Sequence, residues 1–180
     1  LILQQGRPQD CADRTARELA VYDLLDRLEI PYARVDHAPA ETMEVCEAID
    51  KVLNCRICKN LFLCNRQQTA FYLLMMPGDK PFKTKELSAQ IGSARLSFAP
   101  AEKMIEYLGL YPGSVSVMGL MNDSEHRVQL LVDQDLFWDE YIGCHPCVNT
   151  SSLKLRRTDI FETFLPEVKH NYLSVELHGE

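Results

Sequence analysis

Apolar residues recur every three or four positions early in the chain, so that Val21, Leu24, Leu25 and Leu28 share one face of a helix. That helix is expected over about Asp13 to Leu28, with Asp13 or Thr15 to cap its start and Pro31 to stop it. Tyr32 to Val35 reads as a short strand leading to His37-Ala38-Pro39. Thr42 opens a second helix through about Leu53, with Val45, Ile49 and Val52 or Leu53 turned inward. The pattern then shortens. Leu61 to Cys64 and Ala70 to Met76 are apolar runs joined by the polar turn Asn65-Arg66-Gln67-Gln68, which predicts two strands. The second is nearly all apolar and is expected to be covered on both faces, with Met75-Met76 in the core.

Pro77-Gly78-Asp79 breaks that strand. Thr84 is expected to cap a helix ending at Gly92. Pro100 starts another, with Met104, Ile105 and Leu108 as its apolar face and Gly109 as its stop. Val128 to Val132 is a strand, Cys147 to Leu155 holds another, and Asp159 to Leu165 is a short helix with an Asp-x-x-Glu start. Leu173, Val175 and Leu177 alternate with Ser174 and Glu176, as in a half-exposed final strand. Helices and strands mix without regular βα alternation, which predicts an α+β fold. Residues 1–180 read as one domain, with 1–30 open to reading as an N-terminal helical appendage.

Composition narrows the function classes. At 46% hydrophobic and 25% charged residues the chain is that of an ordinary globular protein, and no run is long enough for a membrane span. The opening Leu1-Ile2-Leu3-Gln4-Gln5 is too short and polar for a signal peptide, and the absence of an initiator Met reads either as trimming or as a start not native to the chain. A net charge of −7 argues against a broad cationic surface gripping nucleic acid without discrimination. Two local clusters remain: Lys80, Lys83 and Lys85, and Lys154, Arg156 and Arg157. Seven cysteines, with Cys46 and Cys64 in apolar contexts, suggest a reducing, cytoplasmic setting.

Three patches carry candidate chemistry. Lys59-Asn60 stands at the mouth of the Leu61 strand. Taken alone the lysine is a strand-end charge reaching solvent; taken as functional, its ammonium meets an anionic or carbonyl group, and Asn60 adds donors and an acceptor. Gly113-Ser114-Val115-Ser116 follows Tyr111-Pro112. It is either an ordinary turn or a place where bare main-chain N–H groups receive a carbonyl oxygen gaining charge. His145-Pro146 with Asn149-Thr150 lies in a loop entering a strand, where binding groups concentrate. Cys55-x-x-Cys58 and Cys144-x-x-Cys147 have the pair spacing of a four-thiolate zinc site, but the gap between pairs is far longer than in a compact zinc ribbon. Coincidence in a cysteine-rich chain is the preferred reading, and neither metal nor other cofactor is assigned. A cysteine nucleophile paired with His37 or His145 has no specific support. There is no His-Glu-x-x-His, Gly-x-Ser-x-Gly, Gly-x-x-x-x-Gly-Lys or Gly-x-Gly-x-x-Gly motif.

Taken together and in order, the three patches resemble the YbaK/ProX family of aminoacyl-tRNA editing domains, and the likeness runs from about His37 to Leu177. Lys59 matches the family's central lysine, and Asn60 follows it as in the alanine-directed branch. Gly113-Ser114-Val115-Ser116-Val117 matches a loop that usually ends in proline. His145, Pro146, Asn149 and Thr150 match His-Pro-x-x-Asn-Thr. The resemblance implies a mixed, partly barrel-like sheet with flanking helices. It also implies hydrolysis of alanine from mischarged Ala-tRNA(Pro), with Cys-tRNA(Pro) as near neighbour. The alternative is a non-catalytic tRNA- or synthetase-binding module, which Val117 favours. Lys59 is then expected to anchor the terminal nucleotide, Asn60 to orient the α-amino group, and amides near Gly113 to polarise the carbonyl. Ser114, Val115, Ser116, His145, Pro146 and Asn149 shape the substrate site. Water attacks, helped by the neighbouring ribose hydroxyl, in a pocket that takes a methyl and excludes the proline ring. The implied partners are the tRNA(Pro) acceptor end and prolyl-tRNA synthetase or an elongation factor, with no membrane.

Overall fold

The computed structural model describes residues 1–40 and 42–179. In chain order its elements are β1 (Leu3–Gln5), α1 (Ala16–Arg27), β2 (Ala33–Asp36), α2 (Met43–Leu53), β3 (Cys58–Cys64), β4 (Phe71–Pro77) and α3 (Thr84–Gln90). There follow β5 (Ser97–Phe98), α4 (Ala101–Leu108), β6 (Val128–Asp133), β7 (Tyr141–Cys144) and β8 (Ser151–Arg156). A π-helical stretch (Asp159–Phe164) then runs into α5 (Leu165–Glu167), and β9 (Tyr172–Val175) comes last.

The strands form two sheets. One has the order β1-β2-β8-β7 and is antiparallel throughout. The other has the order β5-β3-β4-β6-β9: its β5-β3-β4 portion is antiparallel, and β4-β6-β9 is parallel. Parallel neighbours need a crossover, and the α3–α4 segment provides it between β4 and β6. The fold is therefore α+β with a mixed sheet and flanking helices. The expected partial barrel takes the form of two sheets meeting at a seam. There Ile57 bridges Gly143, whose N–H donates to the Arg56 carbonyl at 2.9 Å. A Cβ on Gly143 would lie 3.0 Å from both Cα and Cγ1 of Ile57, so the close approach requires glycine.

Burial explains why the patterns fold as they do. Strand β4 is covered on both faces: Phe71, Leu73 and Met75 enter one core with Phe62, Tyr22 and Val21, while Leu74 and Met76 enter another with Leu63, Leu87 and Leu131. Helix α2 seals a third, small core, placing Ile49 and Leu53 over Val35 of β2. Thr15 and Thr42 cap α1 and α2, accepting from the N–H groups of Glu18 and Val45. Gly109, at φ +64°, stops α4 as expected.

Several expectations are corrected. Strand β3 begins at Cys58, so Lys59 and Asn60 lie inside it; the Ile57 seam extends the pairing that far back. Thr84 is the first residue of α3 and Lys83 is its cap position, with no side-chain bond. On α4 the buried residue beside Met104 and Leu108 is Tyr107, whereas Ile105 is exposed; on α2 Val45 is exposed, and so is Cys46. The strand held within Cys147 to Leu155 starts at Ser151, and Cys147 before it adopts a left-handed φ of +63°. Strands β1, β5 and β7 were not legible as apolar runs.

Candidate active site

Strand alternation decides where the central pair points. Lys59 lies opposite Met76, and Asn60 opposite Met75, in the β3–β4 register, so the two side chains leave opposite faces of the sheet. Lys59 lines a cavity of about 380 Å³, and the lining also includes Asp50, Ile57, Gly78, His145 and Ser152. Its Nζ donates to the Lys80 carbonyl at 2.7 Å. Lys80 is itself pinned: its Nζ reaches Asp133 and Asp135 at 2.6 Å each and the Leu177 carbonyl at 2.7 Å. The Lys59 ammonium is thus held by a rigid support at the cavity wall. Lys80 is engaged by these partners, which sets it apart from Lys83 and Lys85 of its cluster.

Asn60 turns the other way. Its Nδ2 donates to the Cys58 carbonyl at 3.3 Å and contacts the Cys58 sulfur at 3.4 Å, and its Oδ1 is buried with no hydrogen-bond partner among the described residues. Asn60 does not line the Lys59 cavity.

His145 follows β7, and its Nδ1 is 2.8 Å from the Ser151 carbonyl. A carbonyl only accepts, so Nδ1 carries the proton and Nε2 is left as an acceptor. Burial, with His37 as a smaller cause, pushes the imidazole below its ordinary value against the opposing pull of the Ser151 carbonyl. The folded chain therefore resists protonating His145 more than the unfolded chain does. Stability from this residue is complete above the unfolded value of about 6.5 and is lost as pH falls through it. Thermal unfolding between about pH 7 and pH 5 should show a shallower loss of midpoint in His145→Gln than in the native chain; an equal slope would refute the assignment.

The third patch meets the second. Ser116 Oγ donates to the His145 carbonyl at 2.6 Å, and a Cβ on Gly113 (φ +90°) would lie 3.7 Å from Asn149 Nδ2. The Ser114 N–H and hydroxyl both close onto the Tyr111 carbonyl. Ser114 and Ser116 are buried and Val115 is half-buried, packed on the main core, while Val117 is fully buried at the start of a 3-10 turn. Pro146 is buried beside His145. The structure thus joins the Gly113 loop to the His145–Thr150 loop, and His145 to the Lys59 cavity; Gly113 itself does not line that cavity.

The seven cysteines differ in burial, and the two Cys-x-x-Cys pairs come close enough for Cys58, Cys147 and Cys55 to act on Cys144. All seven are free thiols, and burial pushes Cys55 up to about 11 and Cys58 and Cys147 up to about 12, with Cys144 also well above its ordinary value. Among the described residues no three His, Cys, Asp or Glu side chains are grouped to hold a metal ion.

Comparison with known proteins bears on this arrangement. A family profile described as an aminoacyl-tRNA editing domain matches residues 37–163, the span holding all three patches and both walls of the cavity. The chain belongs to the aminoacyl-tRNA editing domain family. Prolyl-tRNA editing protein ProX of Acetoanaerobium sticklandii is 33% identical over 158 residues, covering 88% of this chain and 96% of that protein. Prolyl-tRNA synthetase associated domain-containing protein 1 of Danio rerio is 29% identical over 150 residues, covering 82% and 80%. A solved structure described as a candidate trans-editing enzyme for prolyl tRNA synthetase superposes with a TM-score of 0.66 at 12% identity, covering 91% of this chain and 99% of that one. It shares the fold of the editing domain.

Two groups in the editing domain's cavity escaped the sequence reading. Ser152 donates its hydroxyl to His37 Nε2 at 2.8 Å, because His37 Nδ1 is committed to the Ala38 carbonyl. Asp50 sits on α2 beside the inward Ile49, and its Oδ1 is buried without a partner among the described residues. Burial holds the Asp50 carboxyl above its ordinary value, with Asp79 and Glu47 adding to this and the Ile57 N–H opposing it. The available signal was a carboxylate one residue from the core position of an amphipathic helix.

Proposed function

We propose that the protein is a trans-editing hydrolase that releases alanine from mischarged Ala-tRNA(Pro), with residues 1–180 acting as one editing unit. The observation that carries the reading is that Lys59 and His145, from two motifs far apart in the chain, line one cavity. The named function of the ProX relative supports the choice of tRNA(Pro).

In this reading Lys59 holds the phosphate of the terminal nucleotide as a point charge, from a position fixed by the Lys80 carbonyl. The Gly113 loop does not line the cavity but is tied to it through the Ser116–His145 contact, and in this reading its main-chain amides, other than the Ser114 N–H engaged by Tyr111, polarise the ester carbonyl once the substrate spans both. Water attacks the carbonyl, aided by the adjacent ribose hydroxyl, and the ester C–O bond to the ribose breaks. The neutral His145, with Nε2 as acceptor, shapes the wall against which the acyl group lies. Pro146 and Asn149 set the path of the loop carrying it. The acceptor stem lies over Lys83, Lys85 and Arg95, which line a separate cavity beside α3. Prolyl-tRNA synthetase or an elongation factor delivers the charged tRNA.

The deciding experiment is a panel of hydrolysis rates on alanyl-, cysteinyl-, seryl- and prolyl-tRNA(Pro). Alanine release should be fastest and proline release at the spontaneous rate, since the pocket excludes the ring. Fastest release of cysteine would move the assignment to the neighbouring substrate. No release from any of the four, with tRNA still bound, would leave a binding module.

A further inference from the structure

We propose that Asp50 receives the α-ammonium group of the bound aminoacyl ester, and so distinguishes an aminoacyl group from an uncharged acyl group of the same shape. The inference rests on the deacylase reading above and names the recognition chemistry within that same cavity. Asp50 contributes to the cavity wall from α2, and its Oδ1 is enclosed without a hydrogen-bond donor among the described residues. A buried carboxylate oxygen with no donor is costly, and a ligand N–H removes that cost.

The other charges in the wall do not compensate it. Lys59 is held by the Lys80 carbonyl. Arg56 is bound to Asp139 at 2.9 Å and faces Asp79 at 3.6 Å. Among the described residues no ion pair reaches Asp50. Glu47, one turn away on α2, and Asp79 are carboxylates too and give Asp50 no counter-charge, while Ile49, Ile57, Cys58 and Gly78 in the same wall are uncharged. Of the three carboxylates in the wall, Glu47 and Asp79 are exposed to solvent, and Asp50 alone has an enclosed oxygen without a partner among the described residues, so the cavity offers a desolvated anion as well as the Lys59 cation. An aminoacyl ester on a terminal nucleotide presents the matching pair, an ammonium on its acyl part and a phosphate on its nucleotide part. Asn60, expected to hold the amino group, faces Cys58 instead, which leaves that role open.

The test compares native protein and Asp50→Asn on alanyl-tRNA(Pro) and on lactyl-tRNA(Pro), in which a hydroxyl replaces the ammonium and the methyl and ester are unchanged. Rates are expressed over spontaneous hydrolysis of each ester. The native protein should favour the alanyl ester, and Asp50→Asn should lower alanyl hydrolysis by about 10-fold or more, the effect of losing one charge-assisted hydrogen bond. Lactyl hydrolysis should stay unchanged, which shows that the variant is folded and active. Equal loss on both esters, or a native protein indifferent to the ammonium, overturns the role of Asp50 while leaving the deacylase reading in place. A native protein that hydrolyses neither ester overturns the deacylase reading, and this inference with it.

Discussion

Lys59→Ala lowers alanine release from Ala-tRNA(Pro) by about 100-fold or more, while the thermal midpoint stays within about 4 °C of the native chain. The two halves of this expectation have different origins. Lys59 is half-buried and makes one hydrogen bond, to the Lys80 carbonyl, so its removal costs the fold about 1 kcal/mol. The catalytic loss is larger because positioning is what the site supplies. The proposed hydrolysis assigns no side chain as base, so an ester displaced by about 1 Å loses its alignment with the water and the carbonyl donors. Lys80 strengthens the case: bound to Asp133, Asp135 and the Leu177 carbonyl, it fixes the backbone that fixes Lys59. Single-turnover hydrolysis with circular dichroism on the same sample measures both halves. A variant that hydrolyses at near the native rate removes Lys59 from the mechanism.

Asp36→Ala produces the largest expected loss of stability. Asp36 lies at the end of β2, where it accepts from both Arg14 Nη atoms at 2.9 Å, from the Ser151 hydroxyl at 2.6 Å and from Arg34 through a short contact. Arg14 continues to Glu18 at 2.9 Å, and the buried Tyr22 hydroxyl donates to Glu18 at 2.6 Å. One carboxylate thus ties α1, β2 and β8 together. Arg34 and Glu18 are almost fully buried, so deleting Asp36 leaves the Arg34 guanidinium in the interior with only neutral acceptors, the Gly6 carbonyl and the Gln4 side chain. Breaking such a pair costs ~3–5 kcal/mol when dry; with the Asp36 side chain 38% exposed, about 3 kcal/mol is the better figure. For a chain of this length that lowers the thermal midpoint by roughly 6–12 °C.

The pH dependence carries the same signature. Burial raises the Asp36 carboxyl, but hydrogen bonds from Arg14, Arg34 and Ser151 outweigh it and hold the group below the ordinary carboxylate range. A depressed folded value means the contribution is complete above the unfolded value of about 3.9 and disappears as pH falls below it. Native protein and Asp36→Ala should therefore converge in stability in acid. A constant difference down to about pH 2 would show that Asp36 acts through something other than its charge.

Elements with strong local signals were legible from the residues alone. The Thr15 and Thr42 caps, the Gly109 stop and the doubly covered β4 each rest on chemistry contained within a few positions. Short edge strands were not: β1 and β5 hold three and two residues, all exposed, and exist only because a neighbour offers a ladder. The start of β3 was hidden for a related reason, since its first residues are organised by the Gly143 seam, a contact between distant parts of the chain. That displacement had a consequence for the site. Once Lys59 and Asn60 lie inside a strand, alternation separates them, and adjacency in sequence becomes opposition in space. The Asp36 network was equally invisible, because it joins Arg14, Asp36 and Ser151 across folded distance with no motif to announce it. Asp50 has no motif around it, and only the folded wall sets it apart from the other helix charges.

Ile57 is wedged between two glycines. A methyl at position 78 would sit 2.6 Å from its carbonyl oxygen, and one at position 143 would press on its Cα. Because Ile57 also forms part of the Lys59 cavity, the calibre of that chamber is set from behind, by how closely two sheets can stack, rather than by any bulky plug projecting into it. Relatives could widen or narrow the chamber at position 143, which stands outside its lining.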